Sequence, residues 1–249
     1  MSIRIFGASV IGPLHVQKNL PCQDAWAFSA ALSGTGVIAV ADGLGSASKS
    51  EVGARLAVDT AVASVKEAFA IADSVAPLDQ IGLAAVKHAR EALEKRSSEE
   101  ECSLKDLACT MIVAALSQGC LAVAHIGDGA VVAQTADGLL LISGPGESEY
   151  ANEVVPLTAI DWQESLRIVD GISGVRSLAV FTDGCQRAAF RKHEETFEPF
   201  EGFFRPIFSY AHELTDIAEG EKEIQALLSS KKICENSEDD KTLAIAVMN

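Results

Sequence analysis

The sequence predicts an α+β fold in which helices pack on antiparallel sheet, over one domain spanning residues 1–249. Three observations predict it. Short apolar runs of strand length stand near both ends of the chain. A long stretch of helical period, from Ser46 to Arg96, separates the first strands from the rest. The central strands are joined by turns too short for parallel crossovers, so they read as antiparallel hairpins.

Taken in order, Ile3 to Ser9 is a strand that stops at Gly12-Pro13, and Ala25 to Leu32 alternates weakly. Gly36 to Ala41 (GVIAVA) is a wholly apolar strand ending at Asp42-Gly43. A buried strand with this ending delivers a carboxylate at the edge of the core, and the glycine permits a tight turn. From Ser46 to Ala72 the period is helical: Val52, Leu56, Val58, Val62, Val65 and Phe69 fall near one face, with Ser48 or Ser50 as N-cap. A second helix covers Pro77 to Arg96, and the polar stretch Ser97 to Asp106 reads as a loop. Four strands follow, Cys109 to Leu116, Cys120 to Ile126, Ala130 to Gln134 and Leu139 to Ile142, joined by Ser-Gln-Gly, Gly-Asp-Gly and Ala-Asp-Gly. Leu178 to Thr182 is another apolar strand that ends in Asp-Gly. A last helix runs from Thr215 to Lys232, and Leu243 to Val247 closes the sheet.

Composition excludes several classes of function. No stretch approaches the ~20 apolar residues of a membrane span, and the N-terminus lacks the apolar core of a secretory signal, so a soluble, cytoplasmic protein with no membrane partner is expected. The formal net charge of −15 repels nucleic-acid backbones, so no nucleic acid partner is expected either. Six scattered cysteines with no CxxC pair read as reduced, packed thiols.

Acidic residues mark the strand ends. Asp42-Gly43 follows IAVA, Asp183-Gly184 follows VFT, Asp239-Asp240 precedes TLAIAV, Gly127-Asp128-Gly129 lies between two strands, and Gln23-Asp24 opens AWAF. One Asp-Gly after a strand is usually a plain turn. Several carboxylates brought to one sheet edge repel each other unless a cation sits among them. Oxygen ligands of this kind suit Mg²⁺ or Mn²⁺ and not zinc, and the five histidines form no HxH or HExxH pair. The sequence carries no Ser-His-Asp signature and no GxxxxGK[ST] loop, so a pair of carboxylate-held ions that activates water against phosphorus is the expected chemistry.

The ordered set QDA (Gln23 to Ala25), VADGLG (Val40 to Gly45), ACTMIVA (Ala108 to Ala114), HIGDGAV (His125 to Val131), FTDG (Phe181 to Gly184) and DDKT (Asp239 to Thr242) resembles the metal-dependent Ser/Thr protein phosphatases of type 2C. It is closest to the compact bacterial branch of that family, in which a GEYAN-like segment follows the hairpins; here this is Gly146 to Asn152. The resemblance implies two antiparallel sheets packed as a sandwich with helices on both outer faces. It implies hydrolysis of phosphoserine and phosphothreonine on proteins by a metal-bridging hydroxide, with a Ser/Thr kinase as counterpart in signal transduction. It also implies roles. Asp42 would bridge two Mn²⁺ or Mg²⁺ ions, the Gly43 carbonyl would ligate one, Asp183 and Asp239 would complete a site, and Asp24 would hold waters of the metal shell. Asp128 would be a candidate ligand for a third, weaker ion, and Thr110 would be structural.

Two departures stand out. The family carries an Arg five residues before the QD-type Asp, where it clamps the substrate phosphate; this chain has Asn19, with Lys18 and His15 as the nearby candidates. The stretch from Val154 to Gly174 is short for the family's flap. The missing Arg motivates an alternative, a catalytically idle phosphatase-like domain that binds phosphoproteins or regulatory partners. A metal-dependent nuclease is a third reading, disfavoured by the acidic charge. His125, inside an apolar strand, reads as a hydrogen-bonded core histidine.

Overall fold

Strands that are apolar on both faces need cover on both sides, and the fold supplies it in four layers. The computed structural model describes residues 2–71, 77–145, 154–193 and 196–248. In chain order the elements are β1 (Ile3–Val10), α1 (Pro13–Lys18), β2 (Ala25–Ala30), β3 (Thr35–Ala41), α2 (Ser50–Ala70), α3 (Leu78–Glu99), β4 (Met111–Ser117), β5 (Cys120–Ile126), β6 (Ala130–Thr135) and β7 (Gly138–Ser143). Then come β8 (Arg167–Ile172), β9 (Ser177–Phe181), α4 (Gln186–Ala189), β10 (Phe190–His193), β11 (Thr196–Pro199), α5 (Glu201–Glu213), α6 (Ile217–Leu228), α7 (Lys231–Cys234) and β12 (Lys241–Met248).

Two five-stranded sheets run β1-β12-β9-β6-β7 and β2-β3-β4-β5-β8, and β10 and β11 form a separate two-stranded sheet, with every pairing antiparallel. Alternation along the strands divides the core in three. On β12, Leu243, Ile245 and Val247 face a cluster with Phe204, Phe208 and Leu228 of α5 and α6. Between them, Ala244 and Ala246 meet Ile38, Ile112 and Leu116 of the facing sheet. On β4, Met111 and Val113 turn to the far side, onto Val58, Val65, Val86 and Leu93 of α2 and α3. The expected sandwich with helices on both outer faces is therefore the observed architecture.

Three expectations need correction. The Gly127–Gly129 connection does not close a hairpin: β5 lies in one sheet and β6 in the other, so this turn crosses between layers. The stretch read as a loop after Arg96 continues α3 to Glu99 and then forms a 3-10 turn, Leu104–Leu107, capped by Ser103 and Asp106. The last helix is two, α6 and α7, and another, α5, precedes them. α5 carries Pro206 inside it, a residue that argues against a helix, yet Phe204, Ile207, Phe208 and Ala211 give it a buried stripe. The Gly146 to Asn152 segment lies outside the described residues. No helix among the described residues is long and apolar enough to cross a membrane.

Candidate active site

Register brings the acidic motifs to one end of the sandwich. In one sheet Ala25 pairs with Ala41, Val40 with Ile112, and Met111 with Ile126, so β2 starts, β3 ends, β4 starts and β5 ends at the same edge. In the other, Phe181 pairs with both Ala130 and Leu243, so the end of β9 meets the starts of β6 and β12. Gln23-Asp24, Asp42-Gly43, Asp128, Asp183 and Asp239 all leave these ends.

Asp24 is buried, at 6% exposure, and held by two hydroxyls. Thr182 Oγ1 and Thr242 Oγ1 donate to its Oδ2 at 2.7 and 2.8 Å. Its other oxygen, Oδ1, is buried without a hydrogen-bond partner in the protein, as are Gln23 Oε1 and Asp183 Oδ1. Buried oxygens with free lone pairs are costly, so Asp24 and Asp183, close enough for their charges to interact and each with one open oxygen, call for a donor or a cation. Burial pushes Asp24 up to about 7, against the two threonine hydroxyls, and the charges of Asp240 and Asp183 add to the rise.

Asp42 is fixed through its backbone. Its N–H donates to Thr110 Oγ1 at 2.9 Å and its carbonyl accepts from Thr110 N at 2.8 Å, which agrees with the structural role expected of Thr110. Gly43 N–H donates to the Gln23 carbonyl at 3.1 Å, and a Cβ there would stand 2.7 Å from Ser50 Cβ and 2.8 Å from that carbonyl. Only glycine lets the Asp42 turn and the Gln23-Asp24 segment lie this close. The Asp42 side chain is pushed well above the usual carboxylate range, first by burial and then by Asp24, Asp183, Asp239 and Asp128. Asp183 is raised to about 6, by burial first and then by Asp128 and Asp239, while a hydrogen bond from Asp42 opposes the rise. Burial also raises Asp128.

The structure thus brings all five predicted carboxylates within electrostatic reach, with Asp24 deepest and Asp239 exposed at the rim. It does not draw them to a point: among the described residues no three His, Cys, Asp or Glu side chains stand together closely enough to hold a metal ion. The donor set still fits hard cations, being all oxygen, crowded with like charge and partly unpartnered.

The N-terminal segment packs beside this corner. Asp240 is buried and accepts from Gly12 N at 2.6 Å, Gln23 N at 2.5 Å and His15 Nδ1 at 2.9 Å. His15 is therefore buried on Asp240, while Lys18 is exposed at the end of α1. Asn19, where the family's Arg was expected, is the C-cap of α1 in the left-handed conformation, with φ 53° and ψ 37°. Asn tolerates that conformation better than a long side chain does. Sequence reading missed Asp240, Thr182, Thr242 and the wholly buried Lys241, whose Nζ donates to the Asp239 carbonyl at 2.5 Å. The doubled acid Asp239-Asp240 was the available signal; which of the pair turns inward needed coordinates. His125 is a core histidine as read, wholly buried with Nδ1 2.7 Å from Ser143 Oγ.

Comparison with known proteins gives a consistent result. Residues 11–229 match the family model described as Protein phosphatase 2C. Serine/threonine-protein phosphatase 3 of Escherichia coli K12 is 32% identical over 259 residues, covering 99% of each chain. Among solved structures, the Mycobacterium tuberculosis serine/threonine phosphatase PstP/Ppp superposes with a TM-score of 0.62 at 17% identity, over 100% of both chains. The PstP catalytic domain in complex with two manganese ions superposes with a TM-score of 0.58 at 16% identity, over 99% of this chain and 98% of that one.

Proposed function

The chain belongs to the protein phosphatase 2C family, and on that premise we propose that it hydrolyses phosphoserine and phosphothreonine on proteins with two Mn²⁺ or Mg²⁺ ions. The observation that carries the reading is the pair of partnerless buried oxygens, Asp24 Oδ1 and Asp183 Oδ1, beside an Asp42 crowded by four other carboxylates. The 32% identity to the E. coli phosphatase and the two manganese ions of the PstP complex support the substrate class and the metal.

In this reading Asp42, the Gly43 carbonyl, Asp183 and Asp239 would hold the two ions, and Asp128 would hold a third, weaker one. Bound there, the ions supply an acidified water and neutralise the phosphate oxygens. The chain's own residues do the rest. Asp24, with Oδ2 fixed by Thr182 and Thr242, keeps Oδ1 free to accept hydrogen bonds from water and so orients it for attack. Thr110 and Gly43 hold the Asp42 turn against relaxation under the repulsion of its neighbours. His15, anchored through Nδ1 on Asp240, has Nε2 left for the substrate phosphate or the leaving oxygen. Lys18 supplies an exposed positive charge on the same segment, a point charge in place of the bidentate fork of an Arg.

The substrate is a phosphorylated protein whose phosphate a Ser/Thr kinase installs. We place the chain in the cytoplasm as one phosphatase domain, residues 1–249. Its net charge of −15 weighs against nucleic acid and anionic membranes as partners. The test is turnover: purified protein hydrolyses a phosphothreonine peptide with Mn²⁺ and stops with EDTA. Equal rates in the Asp42→Asn variant would remove the proposal.

A further inference from the structure

The turn that carries Asp128 crosses from one sheet to the other, so neither sheet's ladder fixes it. It is wedged instead. Gly127 has φ +108°, and a Cβ there would meet Thr110 Cβ at 2.6 Å; one on Gly129 would meet the Phe181 carbonyl at 2.7 Å. The carbonyls of Gly127 and Asp128 are then each caught by a side chain from another element. Arg167 Nη2, from β8 at the edge of the β2–β8 sheet, donates to Gly127 O at 2.7 Å and to Gly144 O at 3.1 Å, just past the end of β7. Gln186 Nε2, from α4 directly after the Asp183 turn, donates to Asp128 O at 2.5 Å.

We infer that Arg167 and Gln186 are positioning residues for Asp128, a clasp across the two sheets that sets where this carboxylate stands relative to Asp183 and Asp239. The guanidinium is itself pre-set. One Nη2 lies along the His125 ring, 3.1 and 3.2 Å from its nitrogens, and that ring is held by Ser143. Arg167 thus brings β5, the end of β7 and the crossing turn together at one guanidinium nitrogen, Nη2. Gln186 couples the Asp128 turn to the Asp183 turn, three residues before it, so the two carboxylates move as a unit. Both contacts go to backbone carbonyls and neither engages the Asp128 carboxylate.

The inference rests on the reading of Asp128 as the carboxylate of a third, weaker ion. Calorimetric titration of the metal-free protein with Mn²⁺ alone tests both. Wild type should show tight binding followed by a weaker phase that Asp128→Asn abolishes. Arg167→Met and Gln186→Leu should keep the tight phase and weaken the later one about tenfold or more, a loss of about 1.4 kcal/mol. Gln186→Leu guards against loss of folding, since Gln186 is half-buried and its side chain makes one polar contact. A weak phase unchanged in both variants overturns the clasp and leaves the reading of Asp128 intact. A wild type without any phase sensitive to Asp128→Asn overturns both.

Discussion

Thr182 donates its hydroxyl to Asp24 Oδ2 at 2.7 Å, across 158 positions of sequence, and so joins the FTDG motif to the QDA motif inside the protein. Thr242, from DDKT, donates to the same oxygen, and Thr242 N–H donates in turn to Thr182 Oγ1 at 2.9 Å. Three acidic motifs are therefore locked by hydroxyls before any cation is considered. The lock decides which Asp24 oxygen is left open.

Removing either donor should disorganise Asp24 without unfolding the protein. Thr182→Val and Thr242→Val keep the shape and delete a hydrogen bond to a charged group, worth about 1.5–3 kcal/mol, and Thr182→Val also removes the acceptor of Thr242 N–H. Mn²⁺ affinity, measured by calorimetry, should fall about tenfold or more in each, and Thr182→Ser should recover most of it. Unchanged affinity in both variants would show that the hydroxyls do not orient Asp24.

The acidic corner also links metal to pH. Asp24, Asp42 and Asp183 all have folded-state values raised above the unfolded value of about 4. For Asp24 and Asp183 the contribution to the stability of the metal-free protein is full below about pH 4 and is lost as pH rises through about 6 to 7, and Asp42 acts in the same direction. With EDTA the melting temperature should therefore fall between pH 5 and pH 8, and Asp42→Asn should raise it at pH 8. Mn²⁺ at about 100 times its Kd at pH 8 adds about 2.7 kcal/mol there, or roughly 5–10 °C, and the same concentration should add less at pH 5. Scanning calorimetry at the two pH values checks this; an equal Mn²⁺ effect at both contradicts it.

Asp240 and His15 should behave as one unit. Asp240→Asn loses the acceptor that serves His15, and His15→Ala loses the ring that Asp240 orients. In a double-mutant cycle on kcat/KM the second change should cost little after the first, with a coupling of about 0.5–3 kcal/mol. Strict additivity would mean that Asp240 serves only the backbone of Gly12 and Gln23.

Lys18 carries a simpler expectation. Because it is exposed at the end of α1, Lys18→Ala should raise KM for a phosphopeptide several-fold and leave kcat within about twofold, as loss of uniform binding does. A fall in kcat with KM unchanged would contradict a binding role.

The motifs were legible because each sits where an apolar strand stops, and burial on both faces of β3, β9 and β12 left long apolar runs that announce those stops. What escaped was whatever depends on the third dimension. A short turn between two strands looks the same whether it closes a hairpin, as Gln118-Gly119 does with both φ positive, or crosses between sheets, as Gly127–Gly129 does. Asp239 and Asp240 are neighbours in sequence, but the bend before β12 leaves one exposed at the rim and the other buried on His15. Asn19 was readable as a missing Arg and not as a left-handed helix cap, because that conformation follows from how α1 ends.

The central claim is that Asp42 holds two divalent cations between the sheets' carboxylate ends. Crystals grown with Mn²⁺ and measured at the manganese edge test it most directly. The account predicts two anomalous peaks that share the Asp42 carboxylate, each with protein oxygens at roughly 2.0–2.3 Å, one of them the Gly43 carbonyl. A fully occupied map with no peak in contact with Asp42 would contradict it.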